Sequence, residues 1–288
     1  MLPMKEGYIH GYSRREQQRL LEQARVLAPQ VFAGLELGEA GRLLEIGCGV
    51  GAELDLIHRR WPRLQLTGVD RSRRHLAAAR DLLAPLIAAG RAHLVQADGA
   101  RLPFAAERFE RVITVWLLEH VPDPERVLGE ALRVLTPEGE LVCVEVDNRC
   151  FGFSPQLPAI AHWWRQLNAH QQRAGGHPFI GGSLAHLATR LGARDVRTEN
   201  LAVISSQRDP LRRESLLRYL EDLLRSAAPS LLAEGAVTPS DATALKAAFA
   251  TARSDPTLEF RYFAVRLRCR AGRTAPSPDL SSGTWDRA

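Results

Sequence analysis

Between positions 42 and 147, short apolar runs alternate with longer stretches in which apolar residues recur every three or four positions. The short runs predict buried strands, and the longer periodic stretches predict amphipathic helices. Helices are predicted at 52–60, 72–89 and 124–135. Strands joined by helices require right-handed crossovers, which predicts a mostly parallel, doubly wound sheet with ligands bound at the carboxyl ends of its strands. The five predicted strands are 42–46, 64–70, 92–98, 111–116 and 140–147.

The pattern changes on both sides of this region. Before it, residues 13–33 have the spacing of an amphipathic helix, with Ser13 and Glu16 suited to a capping box. After it, two further strands are predicted at 194–204 and 257–269. The last residues of the second alternate between apolar side chains and arginines, which is typical of an edge or half-exposed strand.

These elements predict an α/β protein with a doubly wound, mostly parallel seven-stranded sheet that carries helical lid and cap insertions. Two segments are interpreted as insertions that cap a substrate. The first is interrupted by prolines and glycines, and the second is helical in pattern. The final residues are rich in Pro, Ser and Asp and are expected to be disordered. The predicted divisions are an N-terminal helical lid at 1–36, a core at 37–147, the rest of the sheet at 148–270 with cap insertions at 148–182 and 206–256, and a tail at 271–288.

Composition narrows the classes of function. With 288 residues and 45% hydrophobic content, the chain can bury one large core. No apolar run is long enough for a membrane span and the first residues do not resemble a signal peptide, so a cytoplasmic protein is expected. The four cysteines lack metal-binding spacing and are interpreted as inert buried thiols, so no metal is predicted.

The net charge of +5 would permit a nucleic-acid partner. However, the basic residues are spread along the chain among 33 acids, and only Lys5 and Lys246 are lysines. A nucleic-acid partner is therefore not favoured, and a homodimer is left open.

A glycine-rich turn supplies the first candidate chemistry. Gly47, Gly49 and Gly51 directly follow a predicted strand and open a predicted helix, which allows close approach of a nucleotide to the backbone. With Ala52 after them, these glycines also satisfy a dinucleotide-binding pattern, and Asp70 at the end of the next strand would hold a ribose in either case. The glycines alone leave a nicotinamide cofactor open.

Four ordered motifs from residue 42 to 147 resemble the class I S-adenosylmethionine-dependent methyltransferases that act on small molecules, and a nicotinamide enzyme has no reason to carry the last two. The motifs are LLEIGCGVG at 43–51, TGVD at 67–70, QADGARLPF at 96–104, and FERVITVWLLEHVPD at 109–123 with RVLTPEGE at 133–140. The family usually has Asp at position 110 and Gly at 138, where this chain has glutamates. Neither position is a cofactor contact.

The resemblance implies a Rossmann-like methyltransferase fold, S-adenosylmethionine as the cofactor and a role for each matched residue. It implies that Glu45 helps to hold the methionine ammonium group, that Asp70 accepts both ribose hydroxyls and that Asp98 accepts from the adenine amino group. A turn-forming role for Asp98 stays open, because Asp-Gly is a common turn pair. The residues expected to bind the cofactor are Tyr8, Arg19, Glu45, Gly47, Cys48, Gly49, Gly51, Asp70, Arg71, Asp98, Gly99 and Trp116.

The acceptor is expected to be a small, partly apolar metabolite that is methylated at O, N or S. His120 is the candidate catalytic base, with a structural role as the alternative. The substrate-binding candidates, which could instead belong to the core, are Trp116, Phe151, Phe153, Trp164 and His177.

Other classes of function remain open. An RNA or protein methyltransferase could have the same fold, and a nucleotide-binding protein without methyl transfer is the third alternative. No Asn/Asp-Pro-Pro-aromatic tetrapeptide follows the fourth predicted strand, where Val115-Trp116-Leu117-Leu118 stands instead. This argues against methylation of the exocyclic amine of adenine or of the side-chain nitrogen of glutamine.

Overall fold

The computed structural model describes residues 11–205 and 207–272. The strands are β1 Gly41–Ile46, β2 Leu64–Asp70, β3 Ala92–Gln96, β4 Phe109–Val115, β5 Leu135–Val146, β6 Gly152–Ser154, β7 Arg194–Ile204 and β8 Glu259–Arg270. They form one sheet in the order β3-β2-β1-β4-β5-β8, and β8 also pairs with β7 and with the short β6. The first five strands are parallel, whereas β8 is antiparallel to its neighbours.

The predicted doubly wound α/β fold is confirmed. The sheet has eight strands rather than seven, because the first insertion contributes the three-residue β6 beside the start of β8. The helices are α1 Arg14–Val31, α2 Ala52–Arg60, α3 Arg73–Leu82, α4 Ala84–Ala88, α5 Pro124–Val134, α6 Pro158–Arg173, α7 Leu184–Arg190, α8 Pro210–Ser226, α9 Ala228–Ala233 and α10 Pro239–Ser254.

Of the two alternatives predicted for the last strand, the edge position is wrong, but the half-exposed character is confirmed, since buried and partly exposed positions alternate along β8. Strand β8 is internal, since it pairs with β5 on one side and with β7 on the other. Its alternating arginines reach carboxylates on those neighbours: Arg266 pairs with Glu199 and Arg268 with Glu140, at 2.6 and 2.8 Å. Alternating charge thus marks cross-strand ion pairing on an internal strand whose arginines range from buried to partly exposed.

Local capping explains where several helices begin. The Ser13 hydroxyl accepts a hydrogen bond from the Glu16 backbone N–H at 3.1 Å, which forms one half of the predicted capping box. Asp123 caps α5, whose first residue is proline. The predicted helix at 72–89 is divided into α3 and α4, because Pro85 cannot donate a backbone hydrogen bond.

The insertions form a helical layer beside the sheet, in which α8 packs against α1 and α10, and α6 packs against α9 and α10. Trp163 of α6 is 1% exposed, and its indole N–H donates to the Leu224 carbonyl of α8 at 2.8 Å. This layer and α1 cover the carboxyl ends of the parallel strands, where the candidate site lies.

The structure also bears on the predictions about membrane spans and cysteines. Within the residues that the structure describes, no helix is both long and apolar enough to cross a membrane. Cys48, Cys143 and Cys269 are buried as expected, but Cys150 is exposed in a turn after β5, so the interpretation of all four as buried thiols is wrong.

Candidate functional site

The glycine turn lies at the carboxyl end of β1. Gly47 adopts φ of 78°, a left-handed conformation that favours glycine, and a Cβ there would lie 2.7 Å from the Leu117 side chain. The backbone N–H groups of Gly47 and Cys48 both donate to the Val69 carbonyl at the end of β2. The turn is therefore packed tightly between β2 and the loop after β4.

Asp70 ties the glycine turn to the start of α3. One carboxylate oxygen accepts from the Gly49 backbone N–H at 2.9 Å, and the other accepts from the Ser72 backbone N–H at 2.7 Å. Ser72 itself caps α3. Because each carboxylate oxygen can accept more than one hydrogen bond, Asp70 is held in place and can still accept from a ligand.

Asp98 follows β3 and also lines the cavity. Its Oδ1 accepts from the Ala100 backbone N–H at 2.9 Å, so the Asp-Gly turn that was left open does form. The turn and a ligand contact are compatible, because the second carboxylate oxygen has no hydrogen bond recorded within residues 11–205 and 207–272.

These loops open into one cavity of about 310 Å³. Glu45 and Gly51 are not in its lining: Glu45 is 1% exposed within β1, and Gly51 packs against Ala79 and Leu83. Tyr8 lies outside the described residues. The expected cofactor contacts that do line the cavity are Arg19, Gly47, Cys48, Gly49, Asp70, Arg71, Asp98, Gly99 and Trp116.

Carboxylates gather beneath the glycine turn. Burial, followed by the charges of Glu53 and Asp70, raises the pKa of Glu45 well above its ordinary value, and Glu45 Oε2 has no hydrogen-bond partner among the described residues. Burial raises the pKa of Glu53, which lines the cavity, to about 7. Glu53 was not predicted as a site residue, although a carboxylate two residues after the glycine turn could have indicated it.

Helix α1 contributes a buried ion pair to the cavity wall. The Arg19 guanidinium donates to both oxygens of Glu16, at 2.6 and 2.8 Å, and to the amide oxygen of Gln23 at 2.7 Å. Arg19 and Gln23 line the cavity, and Tyr219 of α8 lines it close to Arg19. The segment interpreted as a lid therefore forms one wall of the site.

Trp116 follows β4 with φ of 53°. A bulky residue in this left-handed region is strained by about 1–3 kcal/mol, and such residues cluster at functional sites. Its backbone N–H donates to the Val144 carbonyl of β5, which holds it in place. The strained residue lies in the cavity wall between the cofactor candidates and the cap.

His120 lines the cavity beside Glu119. Burial lowers its pKa against the opposing charge of Glu119, which favours the neutral imidazole that a base requires. Its Nε2 lies 3.6 Å from Glu119 Oε1, and Gln171 of α6 donates to Glu119 Oε2 at 2.8 Å. Neither Glu119 nor Gln171 was predicted from the sequence as a site residue.

The expected substrate residues divide between the cavity and the core. Phe151 and Trp164 line the cavity, with ring centroids 3.8 Å apart. Phe153 is a correction, because it is 7% exposed, packs against Phe249 and Phe260, and does not itself line the cavity. His177 is a second correction: its ring does not line the cavity, and its backbone N–H donates to the Glu119 carbonyl at 2.8 Å.

Comparison with known proteins identifies the elements around this cavity. Residues 44–143 match a family model described as a methyltransferase domain. A ubiquinone/menaquinone biosynthesis C-methyltransferase, UbiE from Syntrophotalea carbinolica, is 33% identical over 171 residues, which are 59% of this chain and 69% of that protein. A phosphatidylethanolamine N-methyltransferase from Cereibacter sphaeroides is 38% identical over 104 residues, 36% of this chain and 50% of that protein.

The fold has solved counterparts as well. Phosphoethanolamine N-methyltransferase 2 from Haemonchus contortus matches with a TM-score of 0.53 and 17% identity, over 89% of this chain and 52% of that one. The chain spans about half the length of most of the curated relatives it matches. The family match, the shared fold and the ordered motifs around one cavity make the chain a member of the class I S-adenosylmethionine-dependent methyltransferases.

Proposed function

We propose that this protein transfers a methyl group from S-adenosylmethionine to a small, partly apolar metabolite. The observation that carries the proposal is one continuous cavity, which runs from the glycine turn and Asp70 to aromatic and aliphatic side chains of the cap. Pockets for small molecules are apolar with a few polar groups, and this lining fits that description.

The residues at the glycine end suit the cofactor. The pKa values of the buried Glu45 and the cavity-lining Glu53 are both raised, so the positive charge of a cofactor with an ammonium and a sulfonium group would favour their ionised forms and be complemented by them. When bound, the cofactor supplies a methyl group on a positively charged sulfur. Asp70 and Asp98 would hold its ribose and adenine, and Arg19 or Tyr8 its carboxylate.

The chain's own contribution to transfer is positioning and exclusion of water. In-line displacement requires the reacting atoms to be held about 3 to 3.5 Å apart, and the cap helices and α1 would keep this region dry. If the acceptor loses a proton, neutral His120 is the candidate base, with Glu119 and Gln171 holding its environment.

The accepting atom is not determined by the relatives. By name they include C-, N- and O-methyltransferases and trans-aconitate 2-methyltransferases, so carbon joins the O, N and S expected from sequence. The names that give a substrate indicate small molecules or lipids. They support the small-molecule alternative over RNA or protein methylation.

Methyl incorporation tests the proposal directly. With radiolabelled S-adenosylmethionine and a metabolite extract, we expect labelled small molecules whose yield is unchanged by prior nuclease or protease treatment. Label that disappears after nuclease, together with RNA binding that weakens steeply with salt, would instead support an RNA methyltransferase. Cofactor binding without incorporation into any fraction would support the nucleotide-binding alternative.

Cofactor affinity is expected to rise with pH. Glu53 is largely protonated below its pKa of about 7, and bound positive charge favours its ionised form, so a proton is released on binding. Between about pH 6 and 7.5 the affinity for S-adenosylmethionine should increase about five- to tenfold. Calorimetry measures this change, and Glu53→Gln should remove most of it. An equally steep rise in the glutamine variant would assign the proton to another group.

Helix α1 is expected to act as a lid that is stabilised by the cofactor. Its Arg19 and Gln23 line the cavity, so a bound cofactor adds contacts to a segment otherwise held by packing on α8. Hydrogen exchange in Arg14–Val31 should slow when S-adenosylmethionine is added, whereas α10, which contributes no lining residue, serves as the internal control. Unchanged exchange in α1 would contradict the lid.

A further inference from the structure

We propose that the acceptor half of the cavity recognises an uncharged hydroxyl group on a planar, apolar body, through the side chains of Asn148 and Tyr262. This inference rests on the proposed function and names the chemical class of its acceptor. The acceptor half is defined here as the part of the cavity lined by residues of β8, α6, α8 and the turn after β5.

Two buried polar atoms in this half have no partner. Asn148 is 5% exposed and Tyr262 is 9% exposed, and both residues line the cavity. Neither the Oδ1 atom of Asn148 nor the hydroxyl of Tyr262 has a hydrogen-bond partner among the described residues. An unsatisfied buried polar group is destabilising, so a ligand that supplies the missing partner removes that penalty.

The orientation of the Asn148 amide is determined by its neighbours. The Asn168 Nδ2 donates to the Trp164 carbonyl at 2.9 Å, which leaves Asn168 Oδ1 as an acceptor. Asn148 must therefore present its NH₂ group to Asn168, and it does so at 2.7 Å. The Trp164 indole N–H also donates to the Asn148 carbonyl at 2.9 Å, which fixes the backbone. The remaining Asn148 Oδ1 can only accept a hydrogen bond.

Tyr262 supplies the complementary donor. Burial, together with Glu119 and other negative neighbours, raises the pKa of Tyr262 well above its ordinary value, so the side chain stays a neutral phenol. Asn148 lies two residues after Val146, which pairs with Ala264, and Tyr262 lies two residues before Ala264, so Asn148 and Tyr262 are close together. A hydroxyl on the acceptor that reaches both side chains would donate to Asn148 Oδ1 and accept from the Tyr262 hydroxyl. A carboxylate cannot donate, and a protonated amine cannot accept.

The charges around this half disfavour an anionic acceptor. Glu119, which follows β4, is 8% exposed and lines the cavity, and its charge acts on Tyr262 of the acceptor half. Arg19, the nearby cation, is already bound to Glu16 and Gln23. The two arginines that line the cavity are Arg19, which is proposed to hold the cofactor's carboxylate, and Arg71, which follows β2 at the cofactor end. A carboxylate or phosphate group on the acceptor would therefore enter against Glu119 without an arginine of its own among the described residues.

The walls suit a flat, apolar body. Phe151 stacks on Trp164 with an interplanar angle of 17°, and Phe260 meets Phe151 edge-on with centroids 4.9 Å apart. These mutually packed rings form rigid surfaces that line the cavity. Aromatic ligands pack well against such surfaces by offset stacking or by edge contacts.

Binding of a matched ring series tests the inference without turnover. Calorimetry would measure the dissociation constants of 2-naphthol, 2-naphthoate, 2-naphthylmethylammonium and 2-methylnaphthalene, with and without S-adenosylhomocysteine. We expect 2-naphthol to bind at least about threefold more tightly than each of the others, because only the hydroxyl satisfies both orphaned atoms. A carboxylate or ammonium probe that binds as tightly as the naphthol would overturn the inference.

Tyr262→Phe isolates the hydroxyl. We expect naphthol affinity to fall about three- to tenfold while methylnaphthalene affinity is unchanged, and the variant to be at least as stable as the parent because an unsatisfied buried hydroxyl is removed. Thr114→Val is the matched control, since it removes another buried hydroxyl from a residue outside the cavity lining. Its naphthol affinity should equal that of the parent.

Equal naphthol affinity in Tyr262→Phe and the parent would also overturn the inference. These outcomes do not depend on the proposed function, because the probes are measured by binding. Failure of S-adenosylmethionine to bind, or absence of methyl incorporation into any extract, would instead contradict the proposed function while the naphthol preference stood.

Discussion

Replacing Asp70 with alanine is expected to weaken S-adenosylmethionine binding by about 2 to 4 kcal/mol, or roughly 30- to 1000-fold. The variant loses two charge-assisted hydrogen bonds to the ribose, each worth about 1.5–3 kcal/mol, with partial replacement by water. It also releases the Gly49 and Ser72 N–H groups, which hold the glycine turn against α3. Calorimetry with the purified variant measures the loss.

Asp81→Ala is the control for this prediction. Asp81 is exposed on α3 and does not line the cavity, so its removal changes the same charge without a ligand contact. Asp70→Asn should fall between parent and alanine, because an amide oxygen can still accept one of the bonds. An alanine variant that binds the cofactor within twofold of the parent would show that Asp70 does not hold the ribose.

Trp163→Ala is expected to lower the free energy of unfolding by about 3 to 5 kcal/mol. The side chain is 1% exposed, and its loss leaves a cavity between α6 and α8 and removes the donor for the Leu224 carbonyl. Because Trp163 does not line the ligand cavity, the fraction that remains folded should bind S-adenosylmethionine like the parent. Chemical denaturation and calorimetry measure the two quantities separately.

Arg165→Ala provides the comparison within the same helix. Arg165 is exposed on α6, so its substitution should change the free energy of unfolding by no more than about 0.5 kcal/mol. If Trp163→Ala is no less stable than this control, then α6 is not anchored through Trp163. The cap would then be held to the rest of the protein by other contacts.

The cofactor end of the site could be predicted from the sequence because its features are local. A strand, a glycine turn and a helix are specified by backbone sterics and hydrogen bonds within a few residues. The predicted loop residues Gly47, Asp70 and Asp98 all line the cavity. The family's ordered motifs then related these positions to one cofactor. Glu53 was missed because its importance depends on burial, which the motif does not encode.

The first cap insertion, residues 148–182, shows where local pattern is insufficient to predict which side chains line the cavity. Trp163 and Trp164 are neighbours in the chain, yet one anchors α6 to α8 and the other lines the cavity. Phe151 and Phe153 divide in the same way, with Phe153 in the core. Composition identifies these residues as apolar, but the face that each presents depends on the direction in which the segment packs.

The sequence by itself determined the fold class, the cofactor family and the loops that carry the cofactor contacts, because each of these depends on short-range backbone geometry and ordered motifs. Only the tertiary structure decided the acceptor half. Asn148, Tyr219 and Tyr262 are separated by tens of residues in the chain and meet because β8 inserts between β5 and β7 and the cap packs over them. Their chemistry depends on burial and on which polar atoms are left without partners, and both are properties of packing rather than of any local pattern.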